Sequence, residues 1–341
     1  MADELSGLPY VTPGTPGCGG AFKSTPEDFE VEELPAYEPS GQGEHLFLWI
    51  EKRAHDTPWV ARELARAFGL TERDVSYAGL KDRHAVTRQL FCVPAVKSEP
   101  KLAAFSAPEV KVLWAKRHGN KLRTGHLLGN RFRLRIRGVT DFAAARATLA
   151  ELQRTGLPNY FGEQRFGQKG DNAELGKLLV QGKRLPRRPD RFERKLFLSA
   201  YQSLLFNRAL GERLREGTFA RALLGDVLRK RETGGLFVCE SPEVDQPRVD
   251  AFEVSPAGPM FGPKMVRAAH EVLAREEALL SMEGLTLSDF ERGGGEAEGA
   301  RRPYRIPLVT QVEEDGTDLT LTFELPKGSY ATVVLRELLK A

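Results

Sequence analysis

Asp82 is the residue whose surroundings most suggest chemistry, with Lys81 before it and Arg83 and His84 after it. Residues 87–93 are rich in β-branched and aromatic side chains and are typical of a strand. An ionised aspartate among cationic groups, on a loop that leads into a strand, can act as a nucleophile or as a general base. The alternative is that Asp82 only caps a turn beside solvated basic side chains. The rest of the chain must decide between these two interpretations.

The segments before Asp82 predict the elements that would position it. Residues 27–32 alternate apolar and acidic side chains, as a half-buried strand does, and residues 45–52 form a continuous apolar run typical of a central strand. Thr57 is the expected N-cap of a helix that Gly69 should end. A strand, a helix and a loop would therefore lead the chain to Asp82.

Later segments predict further elements from their periodicity and their Pro and Gly content. They are a helix over 197–214, a rigid loop over 256–263, a helix over about 266–281, a strand over 318–325 and a short helix from about 333. The chain begins with strands, changes character near residue 156 and returns to strands near residue 305. At 341 residues two domains are expected. We predict a catalytic domain formed by 1–155 and 305–341, interrupted by an inserted α/β domain at 156–304.

Basic residues are concentrated in two places. Residues 116–138 contain eight Lys or Arg and no acid. Within them an arginine stripe alternates with apolar side chains, so the arginines should share one side of a strand; its members are Arg131, Arg133, Arg135 and Arg137. The stripe could be a solvated face that protects a sheet edge, but guanidinium groups and a long one-signed stretch favour a polyanion partner. A second basic cluster consists of Lys183, Arg184, Arg187, Arg188, Arg191, Arg194 and Lys195.

Several classes of protein lack support in this sequence. The three cysteines lie far apart and the six histidines have no metal-binding spacing, which argues against a zinc cluster or a disulfide framework. There is no phosphate-binding P-loop, no dinucleotide fingerprint and no Gly-x-Ser-x-Gly nucleophile motif. No basic and apolar leader and no membrane-length apolar run is present. We expect a cytoplasmic protein without metal or cofactor.

What remains is one candidate carboxylate, long basic stretches and aromatic residues near glycines. That set suits an enzyme that withdraws a nucleobase from its stack and holds it against a flat side chain. Six blocks of the sequence, in order, resemble the tRNA pseudouridine synthase D family. The blocks are residues 27–33, 41–45, 77–89, 121–132, 156–167 and 328–332.

This resemblance covers nearly the whole chain and implies a fold, an activity and a site. The fold would be α+β, a pseudouridine-synthase core with a mixed, mostly antiparallel sheet flanked by helices. The activity would be isomerisation of a tRNA uridine at position 13, in the D stem-loop region, to pseudouridine. Neither cofactor, metal nor obligatory protein partner is implied, and the protein is expected to be a monomer with tRNA as its substrate.

The resemblance also assigns roles to individual residues. Asp82 falls on the catalytic aspartate, and Lys23 on the basic residue that pairs with it. The residues that fall on substrate-binding positions are Phe29, Asn130 and Tyr330, with Phe132 expected against the target base. Tyr330 departs from some members of the family, which have phenylalanine there. Its ring is kept but a hydroxyl group is added.

Two other functions compete with this interpretation. A tRNA-binding or folding factor would keep the basic surface without the chemistry, but it would not need an intact Lys81-Asp82 site. A nucleoside or glycoside hydrolase using Asp82 would usually need a second carboxylate, and no paired candidate stands out. Whether Asp82 adds covalently to the sugar or acts as a base stays open.

Overall fold

The computed structural model describes residues 7–167 and 169–340. The strands are β1 (Ala21–Phe22), β2 (Phe29–Pro35), β3 (His45–Arg53), β4 (Ser76–Tyr77), β5 (Val86–Pro94), β6 (Val110–His118), β7 (Leu127–Arg137), β8 (Leu157–Pro158), β9 (Val227–Lys230), β10 (Leu236–Val238), β11 (Val254–Met260), β12 (Ala300–Pro303), β13 (Arg305–Ile306), β14 (Thr310–Asp315) and β15 (Asp318–Pro326). The helices are α1 (Thr57–Phe68), α2 (Ala95–Ser98), α3 (Phe142–Thr155), α4 (Asn172–Val180), α5 (Arg191–Arg215), α6 (Pro242–Asp250), α7 (His270–Met282) and α8 (Ala331–Leu339).

Contacts divide the chain into two compact units. The sheet unit contains residues 18–142 and 309–329, and the second unit contains the remaining described residues. Residues 143–155 and 330–340 thus make their contacts with the second unit. The domain limits at 155 and 305 stay a prediction, because the two units record which residues contact one another and not where one domain is inserted into another.

The sheet unit is built on one large sheet with the strand order β14-β15-β7-β2-β5-β3-β6, to which β1 adds on β7 and β4 on β5. The pair β2 and β5 is parallel, whereas the other described pairs of this sheet are antiparallel. The predicted α+β class with a mixed, mostly antiparallel sheet is therefore confirmed.

Helix α1 covers one face of this sheet. Its N-cap is Asp56, whose Oδ1 accepts the Trp59 N–H at 2.7 Å, and it ends at Gly69 with φ at +67°. The prediction of Thr57 as the N-cap was wrong, since Thr57 is the first helical residue and its side chain is fully buried. The core under the helix consists of Leu46, Leu48, Ile50, Val60, Leu64, Phe68, Phe91 and Val93 among others.

The register of the sheet aligns a row of side chains on that same face. Phe132 of β7 pairs with Val31 of β2, Val31 with Thr87 of β5, and Thr87 with Lys52 of β3. Directly paired residues of neighbouring strands project from the same side of a sheet. Because side chains alternate along a strand, Asn130 projects on this side too. The sheet therefore places a lysine, an asparagine and aromatic side chains on one surface.

The second unit contains a four-stranded sheet in the order β10-β9-β11-β12, the pair β8 and β13, and the long helix α5 packed on α4. The prediction of a rigid loop over 256–263 was wrong, because residues 256–260 belong to β11. Residues 254–256 pair with β9 and residues 257–260 with β12, so the main ladder partner changes within the strand. A strand tolerates proline where no neighbouring strand needs the N–H that proline lacks.

Candidate active site

Asp82 lies on the turn between β4 and β5, and its carboxylate is close to Lys23. The Lys23 Nζ is 3.8 Å from Asp82 Oδ2, and the two side chains are 28% and 29% exposed. The same ammonium lies 4.3 Å from the centre of the Phe29 ring. Lys23 has φ at +59°, a left-handed conformation that residues other than glycine rarely adopt. Such conformations cluster at functional sites, and here one directs a cation to both an aspartate and an aromatic ring.

The backbone of the Asp82 turn is fixed by two fully buried side chains. Thr57 of α1 accepts the Lys81 N–H at 2.9 Å through Oγ1 and donates to Gln89 Oε1 at 2.8 Å. The Gln89 side chain, on β5, donates in turn to the Gly79 carbonyl at 3.0 Å. Because each of these buried groups is the hydrogen-bond partner of another, the turn cannot move without breaking several hydrogen bonds.

A buried ion pair adds a further anchor beside Asp82. Lys81 Nζ donates to Glu33 Oε2 at 2.9 Å, and both side chains are almost completely inaccessible. The other carboxylate oxygen, Glu33 Oε1, accepts the Leu90 N–H at 3.3 Å. Removing one member of such a pair leaves an uncompensated buried charge, which costs about 3–5 kcal/mol. The side chain of Lys81 therefore points into the core and holds the turn to β2.

A second lysine lies inside the sheet unit beneath the turn. Lys52 has no accessible surface, and its Nζ donates to the Asp82 carbonyl at 2.9 Å and to the His55 carbonyl at 2.6 Å. Burial lowers the pKa of Lys52 to about 8, although the negative charges of Asp82 and Asp56 oppose that shift. The aspartate is thus bonded through its backbone to one ammonium group and faces another, Lys23, with its carboxylate.

The aromatic residues assigned to the substrate form a stack on the same face. Phe29 lies nearly parallel to Phe132 with ring centres 6.2 Å apart. Phe323 stacks on Phe132 with ring centres 5.6 Å apart. Phe132 is only 6% exposed. A base can therefore meet only the small accessible part of the Phe132 ring unless a neighbouring ring moves. The role of Phe132 stays a prediction.

Asn130 has an unusual acceptor for a side chain on a packed sheet. Its Oδ1 is buried, and among residues 7–167 and 169–340 it has no hydrogen-bond partner. Asn130 is paired across the strands with Glu33, which holds Lys81. A buried acceptor without a donor costs about 1–3 kcal/mol, and the role of Asn130 stays a prediction.

Tyr330 belongs to the second unit, whereas the other five predicted site residues belong to the sheet unit. It precedes α8, and its ring meets Phe161 edge-on with centres 6.2 Å apart. A Cβ on Gly162 would lie 3.1 Å from the Tyr330 ring, so the small residue makes room for it. Burial raises the pKa of Tyr330, and the nearby Arg165 and Arg302 oppose that shift.

The arginine stripe lies on the opposite face of the sheet and is paired with carboxylates. The closest N···O distances are 2.7 Å for Arg131 to Glu324, 3.0 Å for Arg133 to Glu30, 2.7 Å for Arg135 to Asp318 and 2.7 Å for Arg137 to Asp28. The acids come from the segments flanking β7 in the sheet, which are distant in sequence. The absence of acids between 116 and 138 therefore carries no argument for a polyanion at the stripe.

The second basic cluster is less fully paired. Arg187 pairs with Glu193, and Arg191 and Arg194 pair with Glu296. Its other members are exposed and, within the described part of the chain, have no carboxylate at ion-pair distance; they are Lys183, Arg184, Arg188 and Lys195.

Sequence reasoning missed the residues that hold the turn. Lys52 continues the buried positions of β3 at two-residue spacing, and Glu33 continues those of β2. A charged residue in phase with a buried face was a signal that could have identified both. Thr57 and Gln89 gave no such signal, because polar residues of their kind are common at helix starts and in strands.

Among the residues that the structure describes, no three His, Cys, Asp or Glu side chains are grouped as metal ligands would be. None of the helices described is both long and apolar enough to cross a bilayer. Cys18, Cys92 and Cys239 are buried and free.

Comparison with known proteins identifies the family. The family model of tRNA pseudouridine synthase D (TruD) matches residues 6–185 and 189–338. A tRNA pseudouridine synthase D of Anaeromyxobacter dehalogenans is 55% identical over 343 residues, covering 99% of this chain and 98% of the relative. One from Geobacter sulfurreducens is 40% identical over 405 residues, covering 100% of this chain and 98% of the relative.

The fold is also that of a solved structure. The crystal structure of the putative tRNA pseudouridine synthase D (TruD) from Methanosarcina mazei superposes with a TM-score of 0.79 at 24% identity, covering 100% of this chain and 98% of that one. This likeness supports the fold, whereas the family model and the relatives support membership of the family. The chain belongs to the tRNA pseudouridine synthase D family.

Proposed function

We propose that this protein isomerises a uridine of tRNA to pseudouridine, at position 13 in the D stem-loop region, with Asp82 as the reactive carboxylate. Membership of the family makes the chain a tRNA pseudouridine synthase, which is an isomerase. The observation that carries the assignment of Asp82 is its clamped turn, whose carboxylate lies 3.8 Å from the Lys23 ammonium. A fixed, partly exposed carboxylate beside a cation suits a group that must meet substrate in one geometry.

The reaction exchanges one bond to the sugar for another. The bond from N1 of uracil to C1′ breaks, the base turns, and C5 bonds to C1′. C5 loses a proton and N1 gains one, so the reaction consumes no water and no redox partner. Asp82 can attack the sugar or remove its 2′ proton; either role requires an ionised carboxylate held at the sugar.

The detached uracil must remain bound while it turns, in a site that excludes water. We assign its binding to Phe29, Phe132 and Asn130, reached after the nucleotide is flipped out of its stack. The unpaired Asn130 Oδ1 supports this assignment, because uracil offers an N3–H donor that could satisfy it. Tyr330 is proposed as a further substrate-binding residue, through its ring. We also propose that the protein acts in the cytoplasm as a monomer.

The assignment of Asp82 is tested with Asp82→Asn, which preserves shape and removes the charge. We expect pseudouridine formation in a tRNA transcript, mapped chemically, to fall by at least about 10³-fold. The dissociation constant for tRNA should stay within about threefold, because the substitution leaves the binding surface intact.

Glu109→Gln is the matched control, since it makes the same conversion at an exposed carboxylate that lies 3.8 Å from Arg53. Its turnover should equal that of the unmodified protein. Pseudouridine formation by pure Asp82→Asn protein at the rate of Glu109→Gln would remove Asp82 from the reaction. Release of free uracil by the unmodified protein would instead indicate a hydrolase, and no modification at all would indicate a binding factor.

A further inference from the structure

We propose that Lys52 positions Asp82 for the reaction, by fixing the backbone of the reactive turn from inside the sheet unit. The inference rests on the proposed function only in taking Asp82 as the reactive carboxylate. Lys52 is a positioning residue in this proposal, because it contacts the Asp82 carbonyl and not the substrate.

Lys52 is a poor choice for packing alone. Its side chain is completely inaccessible, and among the described residues no carboxylate oxygen lies within ion-pair distance of its Nζ. An unpaired buried charge destabilises a fold, so lysines are almost never fully buried without such a partner. An apolar residue of similar length at this position would fill the same space without that cost.

The Lys52 ammonium holds two segments of the chain together. It donates to the Asp82 carbonyl at 2.9 Å and to the His55 carbonyl at 2.6 Å. His55 lies in the connection from β3 to α1, so Lys52 joins the reactive turn to the segment that leads into the helix. Ala54 N–H donates to the Ala85 carbonyl at 3.3 Å and joins the same two segments a second time.

Lys52 also differs from the other anchors of the turn in the residue that it bonds. Thr57, Gln89 and Glu33 hold the residues before Asp82, namely Gly79 and Lys81. Lys52 bonds the main chain of Asp82 itself. Without this bond the Asp82 carbonyl would lose its ammonium partner, and the carboxylate would shift from its position beside Lys23. A displacement of about 1 Å in a reacting group can cost about 10²-fold in rate.

The test uses Lys52→Met, which keeps length and removes the charge and both hydrogen bonds. Single-turnover pseudouridine formation should fall about 100-fold, while the tRNA dissociation constant stays within about threefold. Lys52→Gln, which can still donate to a carbonyl, should be reduced less. All rates are normalised to the folded fraction measured by circular dichroism.

Thr87→Val is the matched control. Thr87 faces Lys52 on β5, and its fully buried Oγ1 has no hydrogen-bond partner in the described structure. The substitution therefore alters the same strand pair without touching the turn, and its rate should be that of the unmodified protein. A purely structural role for Lys52 would lower the unfolding midpoint and leave the normalised rate unchanged.

The outcomes separate this inference from the proposed function. An inactive Asp82→Asn with Lys52→Met within about threefold of the normal rate overturns the role of Lys52 alone. An active Asp82→Asn overturns the proposed function first and the role of Lys52 with it. Failure of both Lys52 variants to fold at any temperature also overturns the proposal, since Lys52 would then serve the fold itself.

Discussion

Lys52 is a charged side chain without accessible surface, and that placement has a measurable thermodynamic effect. Burial lowers its pKa from 10.5 to about 8, against the opposing charges of Asp82 and Asp56 and with a small added repulsion from Lys81. Because the unfolded chain holds this proton more tightly than the folded chain does, the charged lysine destabilises the fold. At neutral pH the cost is on the order of 3 kcal/mol.

This cost predicts how stability depends on pH. Between about pH 8 and 10.5 the unfolded chain binds more protons than the folded chain at this residue, so the contribution of Lys52 to stability should rise with pH. We expect the free energy of unfolding in urea of the unmodified protein to gain up to about 3 kcal/mol over that of Lys52→Met in this window. Below about pH 8 the difference between the two proteins should be constant.

In the comparison with Lys52→Met, the contributions of the other groups that titrate at high pH to the free energy of unfolding cancel, because both proteins share those groups. Thr87→Val serves as the control and should follow the unmodified protein at every pH. A difference between Lys52→Met and the unmodified protein that does not change from pH 7 to pH 10.5 would contradict a lowered pKa for Lys52.

Part of the candidate site could be predicted from single residues. Asp82 and Lys23 were paired by resemblance, and the structure places them 3.8 Å apart. Their chemical roles, and those of Phe29, Asn130, Phe132 and Tyr330, stay predictions. The hydrogen bonds that fix the Asp82 turn could not be predicted, because Thr57, Gln89 and Lys81 come together only when a helix and two strands meet around one turn.

At the scale of elements, the two basic groups differ in whether acids already neutralise them. Each arginine of the stripe on β7 has a carboxylate partner on the charged face of the sheet. The four exposed members of the second basic cluster have no carboxylate at ion-pair distance in the described ranges, although Lys195 is near enough to Glu298 to help lower its pKa. We therefore expect phosphates of tRNA to be bound by the cluster rather than by the stripe.

Salt dependence of tRNA binding tests this expectation. Replacing Lys183, Arg184, Arg188 and Lys195 by Gln should weaken binding and lower the slope of log K against log salt concentration by about 0.7–0.9 for each lost phosphate contact. Replacing Arg131, Arg133 and Arg135 by Gln should leave the slope unchanged, and circular dichroism should confirm the fold of both variants. The reverse pattern, with a lower slope only in the stripe variant, would place the RNA on the stripe.

Elements were predictable where their signal is local. The strand over 318–325 is confirmed as part of β15, and the predicted short helix as α8. The helix over 197–214 begins earlier, at Arg191, because Asp190 and Glu193 form a reciprocal cap. The strand β11 was taken for a loop, because its tolerance of proline depends on which neighbours pair with each half. The acids that pair with the arginine stripe could not be identified from the sequence for the same reason, because they lie beside β7 in the sheet but far from it along the chain.

For the whole molecule, the reaction itself predicts independence from added reagents. Isomerisation consumes no co-reactant, and the sequence has neither metal-binding spacing nor a phosphate loop. We expect purified protein in excess EDTA, with no nucleotide added, to keep turnover within about twofold. Monovalent salt and spermidine should keep the tRNA folded, and its melting curve is the control. Loss of activity on chelation that one specific metal restores would contradict this prediction.

The fold class could be predicted for the whole chain, because strands at both ends and six ordered blocks pointed to one known architecture. The limits of the domains could not be decided in the same way. Residues 143–155 make their contacts with the second unit, although nothing in their helical sequence indicates which unit they pack on. Long-range packing of this kind is not encoded in any short window.

The order of strands along the chain also affects how the protein is made. β7 lies between β2 and β15, but residues 138–317 must be synthesised before β15 begins. At translation rates of about 5–20 residues per second, this takes on the order of 10 to 40 seconds. During that interval one edge of β7 is open, and an open edge can recruit another chain. Because Glu324 and Asp318 do not yet exist, Arg131 and Arg135 would then lack their β15 partners, and that excess positive charge would repel the same strand on a neighbouring nascent chain.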